Sequence, residues 1–566
     1  MLRTITPLLL ASLASPALAA SPPPVGAAQG MVVTAERHAT QVGVDVLKAG
    51  GNAVDAAVAV GYALAVTYPA AGNLGGGGFM TLRMADGRQT FIDFRETAPA
   101  AATPGMYLDA EGNVVPGRST RGHLAVGVPG TVAGLEWART RWGTQPRARL
   151  LAPAIRLAKD GFELTRGDVA LLREATTDFA ADAPSAAIFL NRGQPWQAGQ
   201  RLVQRDLART LSEVAARGPE GFYGGSVGRA IAAASQRGGG LITEADLAGY
   251  RARELAPIEC RYRGLHIVSA PPPSSGGLVL CQMLGVLEGY DLAGWGWRAA
   301  QGVHVQIEAM RHAYRDRNAH LGDPAFVRNP SERFLGAEAI TAIRAALGER
   351  AGAVVDEAPP AREGTQTTHY SIIDRWGNAV AVTYTLNDWF GARVTAAGTG
   401  VLLNNEMDDF TAKPGVANLY GLVQGEANAI APGKRPLSSM TPTVVLKDGQ
   451  PLMVLGTPGG SRIITAVLHT LLNVVDYGMT IQEAVDAPRF HQQWRPACTT
   501  LEPFALSPDT QQLLSARGHS WCAPAMANHM AAILVGGPTL GAKPQDGLRY
   551  WGANDPRRGT GLAAGY

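Results

Sequence analysis

Two β-rich runs, Thr367–Asp374 and Asn378–Asn387, are separated only by Arg375, Trp376 and Gly377. A three-residue connection ending in glycine is a hairpin loop, because glycine takes the positive φ of the turn without a Cβ penalty. Pairing Asp374 with Asn378 then fixes the ladder, and Thr367 falls opposite Thr385 unless a bulge shifts the register by one. Asn387, two residues beyond Thr385, shares its face. The open end of the hairpin thus gathers polar side chains. The stretch before it, Ala351–Gln366, is polar, proline-containing and poor in apolar residues, the composition of an exposed linker.

The rest of the chain narrows the class of molecule. Its 566 residues carry 50 Lys and Arg against 47 Asp and Glu, a net charge of +3 with no basic block, which excludes a nucleic-acid binder. Hydrophobic residues make up 46% and charged residues only 17%, so a large buried core is expected rather than disorder. Gly (68) and Pro (37) are abundant without a G-X-Y period, which implies many tight turns and excludes collagen. Residues 1–20 read as a secretory signal, with Arg3, an apolar run Leu8–Leu13 and an Ala17-Leu18-Ala19 cleavage pattern. The apolar run is far shorter than the roughly 20 residues of a membrane span, so no anchor is expected once the signal is removed. Export places the protein in the periplasm or outside the cell, where Cys260, Cys281, Cys498 and Cys522 can form one or two disulfides. Three complete connectivities are open. Cys498–Cys522 is favoured by short strands expected at Thr499–Glu502 and His519–Ala523, flanking a helix at Pro508–Ala516.

Thr40–Lys48 reads as a helix closed by Gly50-Gly51, and Asn52 caps a second, Ala53 to about Tyr68, apolar nearly all round and so buried between layers. Gly75–Gly78 follows that helix and opens a strand at Phe79–Arg83, the reverse of a phosphate loop. Residues from about 145 to 350 are helix-rich. Gly224-Gly-Ser-Val-Gly228 matches a serine-hydrolase elbow, but it follows a turn-like stretch and is the chance match expected of a glycine-rich chain. His304, His312 and His320 recur every eight residues of a helical segment, drift around its surface and do not converge on a metal. No metal and no other cofactor is expected.

Several further runs occur in order from about residue 30 to the end. They are Gly51-Asn-Ala-Val-Asp-Ala56, Gly75-Gly-Gly-Gly-Phe79, Arg95-Glu-Thr-Ala-Pro99, Pro271-Pro-Pro-Ser-Ser-Gly-Gly277, Thr367-Thr-His-Tyr-Ser371, Leu403-Asn-Asn-Glu-Met-Asp-Asp409, Lys434-Arg-Pro-Leu-Ser-Ser-Met440 and Pro458-Gly-Gly-Ser-Arg462. Together they resemble the γ-glutamyltransferase family. The resemblance implies an α+β fold, the N-terminal nucleophile (Ntn) hydrolase four-layer αββα sandwich. It also implies a precursor cut between Gln366 and Thr367 into a large subunit, 21–366, and a small catalytic subunit, 367–566, that stay associated. The chemistry is sound by itself. A threonine hydroxyl is a poor nucleophile, but cleavage frees an α-amine, pKa about 7.7–8.0 in model compounds, that can act as its base.

By the same resemblance Thr367 is the nucleophile and Thr385 its hydrogen-bonded partner, and the amides of Gly459 and Gly460 form the oxyanion hole. Arg95, with Ser438 and Ser439, holds the substrate α-carboxylate, a task suited to a bidentate guanidinium. Glu406, Asp409 and Asn387 receive the α-ammonium, and Pro414–Gly425, containing Tyr420, is a lid. Glu406 stands where some bacterial members have Gln, adding negative charge toward the ammonium. The activity implied is that of an exported γ-glutamyltransferase and glutathione hydrolase acting on glutathione and other γ-glutamyl compounds, with water, amino acids or dipeptides as acceptors. A glutaryl or cephalosporin acylase of the same superfamily is the alternative. A glutaryl group has no α-amine, so two acids in the site argue against it. An uncleaved binding protein is a third reading, opposed by the intact set Thr367, Thr385, Gly459 and Gly460.

Overall fold

The hairpin forms in the register its loop dictates, with Thr368 opposite Tyr384 and Ile373 opposite Ala379, and Gly377 at φ 90°. Asp374 locks the turn by accepting from the backbone N–H of Trp376 and Asn378 and from the Asn378 side chain. Its second oxygen also accepts from Ala53 N, tying the hairpin to the start of a neighbouring helix. The computed structural model describes residues 21–353, 366–524 and 528–566. The secretory signal and residues 354–365 of the linker expected at Ala351–Gln366 lie outside the described residues.

Around the hairpin the chain builds two seven-stranded antiparallel sheets. In chain order the strands are β1 (Val25–Ala27), β2 (Met31–Thr34), β3 (Gly77–Arg83), β4 (Gln89–Phe94), β5 (Arg253–Leu255), β6 (Ile258–Tyr262) and β7 (Leu265–Ser269). They continue with β8 (Thr368–Ile373), β9 (Ala379–Thr385), β10 (Thr443–Lys447), β11 (Gln450–Gly456), β12 (Ala531–Val535), β13 (Tyr550–Asn554) and β14 (Leu562–Gly565). One sheet has the order β14-β2-β8-β9-β3-β4-β5, the other β1-β13-β12-β11-β10-β7-β6. Strands from before residue 353 and after residue 366 are therefore mixed in both sheets.

The sheets pack face to face through Val33, Val268, Ile373, Ala381, Val444, Val454 and Ile533. Helices cover the outer faces. On one side lie α1 (Arg37–Lys48), α2 (Ala53–Thr67) and α3 (Thr131–Trp142), with α2 across β8 and β9. On the other lie α4 (Gly276–Leu287), α5 (Ala300–His320) and α6 (Ile463–Val475). The result is the αββα sandwich of Ntn hydrolases. Helix α2 is buried at every position and opens with a reciprocal capping box between Asn52 and Asp55, as its sequence implies. Helix α1 starts at Arg37, ahead of the expected Thr40, because the Glu36 carboxylate accepts from His38 N and Ala39 N, both at 3.0 Å.

Strand alternation decides what faces the site. Tyr370 and Tyr384 point outward and donate to the carbonyls of Ala57 and Gly61 on α2. His369 and Ser371 point inward between the sheets, His369 sharing hydrogen bonds with Thr383 and Ser371 at 2.8 and 3.1 Å. Burial pushes His369 down to about 3, so it is neutral.

Two disulfides are present. Cys260–Cys281 joins β6 to α4, and Cys498–Cys522 forms as favoured. The flanking strands are smaller than expected. Only Thr500–Leu501 is a strand, and His519–Ala523 contributes a single parallel bridge, Trp521 to Thr499, although Pro508–Ala516 is helical. The Gly224–Gly228 run opens the helix Gly225–Arg237 and follows no strand. His304, His312 and His320 all lie on α5, where His304 meets His519 at 2.8 Å. Among the described residues no three His, Cys, Asp or Glu side chains are placed to hold a metal ion, and no helix is long and apolar enough to cross a membrane.

Candidate active site

At the open end of the hairpin Thr367 Oγ1 lies 3.1 Å from Thr385 Oγ1, the pairing the register requires. Both hydroxyls also donate to the carbonyl oxygen of Gln366, Thr385 at 3.0 Å. Gln366 and Thr367 are both buried. Thr385 Oγ1 accepts from Asn387 N at 2.9 Å. That bond turns the chain sharply, leaving Asn387 at φ 76°, a left-handed conformation that asparagine tolerates better than most residues. The Asn387 amide donates to Asn405 O, and its own carbonyl accepts from the Tyr420 hydroxyl at 2.7 Å.

Thr367, Thr385 and Asn387 form one wall of a small cavity whose other walls include Arg95, Glu406, Asp409, Tyr420, Ser438, Ser439 and Gly460. Gly459 precedes Gly460 in the same turn but is not part of the wall. The two have φ values of 130° and 55°, available only to glycine at no cost, and a Cβ on Gly460 would come within 2.4 Å of the Tyr420 ring. The turn is held from behind, with the Tyr314 hydroxyl donating to Ser461 O and the Ser461 hydroxyl to Gln493 Oε1. Ser438 and Ser439 sit in a loop bridged to the Pro271–Gly277 run. Ser275 donates to Ser438 O through both its N–H and its hydroxyl, and Ser274 Oγ donates to Met440 O. The motif at 271–277 is thus a brace for the 438–440 loop.

The electrostatics are concentrated on one side. Arg95, 1% exposed, directly follows β4 and reaches Glu406 with Nη1 and Asp409 with Nη2, while its Nε donates to Pro436 O. The sequence reading had Arg95 facing the two acids, and in the structure it grips them. Its guanidinium is held firmly charged, since Glu406 and Asp409 outweigh the burial that opposes it. A third acid, Glu96, is fully buried with one oxygen 4.0 Å from Arg95 Nη1. Burial first, and then mutual repulsion at Glu406, raise Glu406 well above the ordinary range, and burial raises Glu96.

The cavity encloses only about 20 Å³, little more than one water molecule. A guest that binds both Arg95 and its acids has to part them. A zwitterion does so without leaving charge unpaired, because its carboxylate replaces the acids at Arg95 while its ammonium takes the acids. Beside it stand the Thr367 hydroxyl, a second hydroxyl and a two-glycine turn, the residue types that acyl transfer uses.

Sequence reasoning passed over several residues here. Glu96 stood in the Arg95–Pro99 run and was given no role. Arg317, buried on α5 and lining the cavity, carried no signal at all. Tyr250, whose hydroxyl donates to Arg95 O at 2.8 Å, and Gln424 were missed likewise.

A γ-glutamyltranspeptidase family model matches residues 39–565. The glutathione hydrolase proenzyme of Pseudomonas sp. (strain A14) is 62% identical over 572 residues, covering 100% of both chains. That of Escherichia coli (strain K12) is 48% identical over 551 residues, 96% of this chain and 93% of its own. Among solved structures, cephalosporin acylase from Bacillus halodurans is similar with a TM-score of 0.82 at 28% identity, covering 99% of each chain.

Proposed function

The chain belongs to the γ-glutamyltranspeptidase family, and from that premise we propose that it is a glutathione hydrolase and γ-glutamyltransferase, made as a proenzyme and cut before Thr367. The observation that carries the reading is the placement of Thr367 on the wall of a cavity that two guanidiniums, Arg95 and Arg317, and two carboxyl groups, Glu406 and Asp409, also line. Cleavage of Gln366–Thr367 frees the threonine amine to accept the proton of its own hydroxyl. The oxygen attacks the γ-carbonyl, the Gly459 and Gly460 amides stabilise the tetrahedral oxyanion, and the departing amine takes the proton. A γ-glutamyl ester on Thr367 remains, and water, an amino acid or a dipeptide takes the acyl group in the second half of the cycle. Arg95 with Ser438 and Ser439 holds the α-carboxylate. Glu406, Asp409 and Asn387 hold the α-ammonium, and Tyr420, beneath the glycine turn, belongs to the lid Pro414–Gly425.

The acylase alternative is disfavoured by the same charges. A glutaryl group would displace Glu406 and Asp409 from Arg95 and offer them nothing in return. The N-terminal pattern supports export of the mature protein, with large subunit 21–366 and small subunit 367–566 remaining together. The test is turnover of γ-glutamyl-p-nitroanilide with and without glycylglycine, alongside glutaryl-p-nitroanilide and a denaturing gel. Two chains, the shorter beginning Thr-Thr-His-Tyr, and preference for the γ-glutamyl donor are expected. A single chain, or preference for the glutaryl donor, overturns the reading.

A further inference from the structure

Three arginines of the described chain are buried to 1% exposure: Arg95, Arg317 and Arg435. Arg95 pairs with Glu406 and Asp409, and Arg435 with Asp93. Arg317 pairs with no carboxylate among the described residues. Its Nε donates to Ser275 Oγ at 2.9 Å, Nη1 to Asn318 Oδ1 at 2.8 Å and Gln424 Oε1 at 3.1 Å, and Nη2 to Ser439 Oγ at 3.0 Å. All four acceptors are neutral. Burial pushes Arg317 down to about 10, which still leaves it charged near neutral pH. Asp409 favours the charge only from beyond bonding distance; an ion taken from water without a bonded counter-ion is costly to keep, and folds retain one where a bound partner completes it.

The direction of the bond to Ser439 matters. A hydroxyl oxygen that accepts from a guanidinium has its own proton free to point elsewhere, and Ser439 lines the cavity. Arg317 therefore fixes Ser439 as a donor toward the cavity and polarises that O–H. It also donates to Gln424 Oε1, while Gln424 Nε2 donates to Asp409 O at 3.2 Å, which fixes the acid side relative to the serine side.

We propose that Arg317 is a positioning and specificity-determining residue of the donor site, aiming the Ser439 hydroxyl at the substrate α-carboxylate and supplying the second positive charge that this carboxylate completes. The proposal rests on the γ-glutamyl reading above. It predicts that the pocket favours an anionic group at the α-position beyond what Arg95 alone provides.

The test compares ligands that differ only in that carboxylate. The KM for γ-glutamyl-p-nitroanilide and the competitive Ki values of L-glutamate and 4-aminobutyrate are measured on wild type, Arg317→Gln and Arg317→Lys. Arg317→Gln is expected to raise the KM and the L-glutamate Ki at least tenfold, with kcat within threefold and the 4-aminobutyrate Ki within twofold. Arg317→Lys, which keeps the charge, should recover at least half of the loss on a logarithmic scale. Equal weakening of L-glutamate and 4-aminobutyrate, or a fall in kcat alone, overturns the proposal. If Arg317→Gln does not fold or mature, Ser439→Ala alone and combined with Arg317→Lys decides the matter. The single variant should weaken L-glutamate selectively and the double variant should be no worse, whereas additive losses overturn the proposal. Failure of wild type to turn over the γ-glutamyl anilide would instead remove the parent reading.

Discussion

Two buried ion clusters in this molecule use the same residue types and behave in opposite ways. Near the C-terminus, Arg557 Nη1 donates to both oxygens of Asp555, at 2.9 and 3.0 Å, while its Nη2 reaches Glu502 at 2.9 Å. Arg489 adds a contact to Asp555 at 3.1 Å. Two cations face two anions. Burial alone would raise Asp555, but Arg489 and Arg557 outweigh it and hold the carboxyl below the ordinary range. In the cavity, three acids crowd Arg95, two of them are raised by burial, and the second cation, Arg317, touches none of them. The first cluster is closed and has no use for a guest. The second leaves Arg317 without a bonded carboxylate and crowds three acids on one guanidinium, which is how a binding site differs from a structural staple made of the same parts.

The sharpest break between the clusters lies in the nucleophile beside one of them. Thr367→Ala should remain a single chain with no detectable turnover, read on a denaturing gel and with the γ-glutamyl anilide, because one oxygen serves both maturation and catalysis. Next, Asp409→Asn should lower kcat/KM for γ-glutamyl anilide on the order of 30-fold or more, since it leaves a desolvated ammonium unpaired. Its effect on glutaryl anilide should be several-fold smaller, and equal losses on both would show that Asp409 does not read the amine. Asp555→Asn should do the reverse, costing about 3–5 kcal/mol of stability, seen as a lower Tm, with turnover per folded molecule within twofold of wild type.

The smallest effect separates the clusters by pH. Glu96 is raised in the folded state, so its contribution to stability is fully present below the unfolded carboxylate pKa and is lost as pH rises through the higher folded value. Glu96→Gln has no such titration. The Tm of wild type relative to Glu96→Gln should therefore fall by a few degrees between pH 5 and pH 8. Asp555 is lowered, so its stabilisation persists across that window and disappears only under more acidic conditions, and the deficit of Asp555→Asn should stay flat from pH 5 to pH 8.

How much of this was legible in the sequence depended on how local the cause was. The hairpin register follows from three loop residues, so the Thr367–Thr385 contact could be placed to the residue. The start of α1 could not, because a glutamate at the cap position is uncommon and the usual Ser, Thr, Asp or Asn is missing. Glu96 was hidden by its neighbour. Adjacent residues of an extended chain point apart, but here the chain leaves β4 with Arg95 N bonded to Asp93 Oδ1, and both side chains enter one cluster. Arg317 comes from a helix whose visible pattern was three histidines, and nothing in its spacing marks a residue that only tertiary packing brings to the pocket. The strand expected at His519–Ala523 failed for a similar reason, since its one bridge is set by the chain around the disulfide rather than by alternation.

The mixing of early and late strands in both sheets changes the molecularity of folding. While the backbone is continuous, β2 and β3 find β8 and β9 at the effective concentration of a tethered segment. Under the proposed cut before Thr367, the same pairings would join two separate polymers, and reassembly after unfolding would become second order in protein. An uncut Thr367→Ala chain would keep a concentration-independent route home.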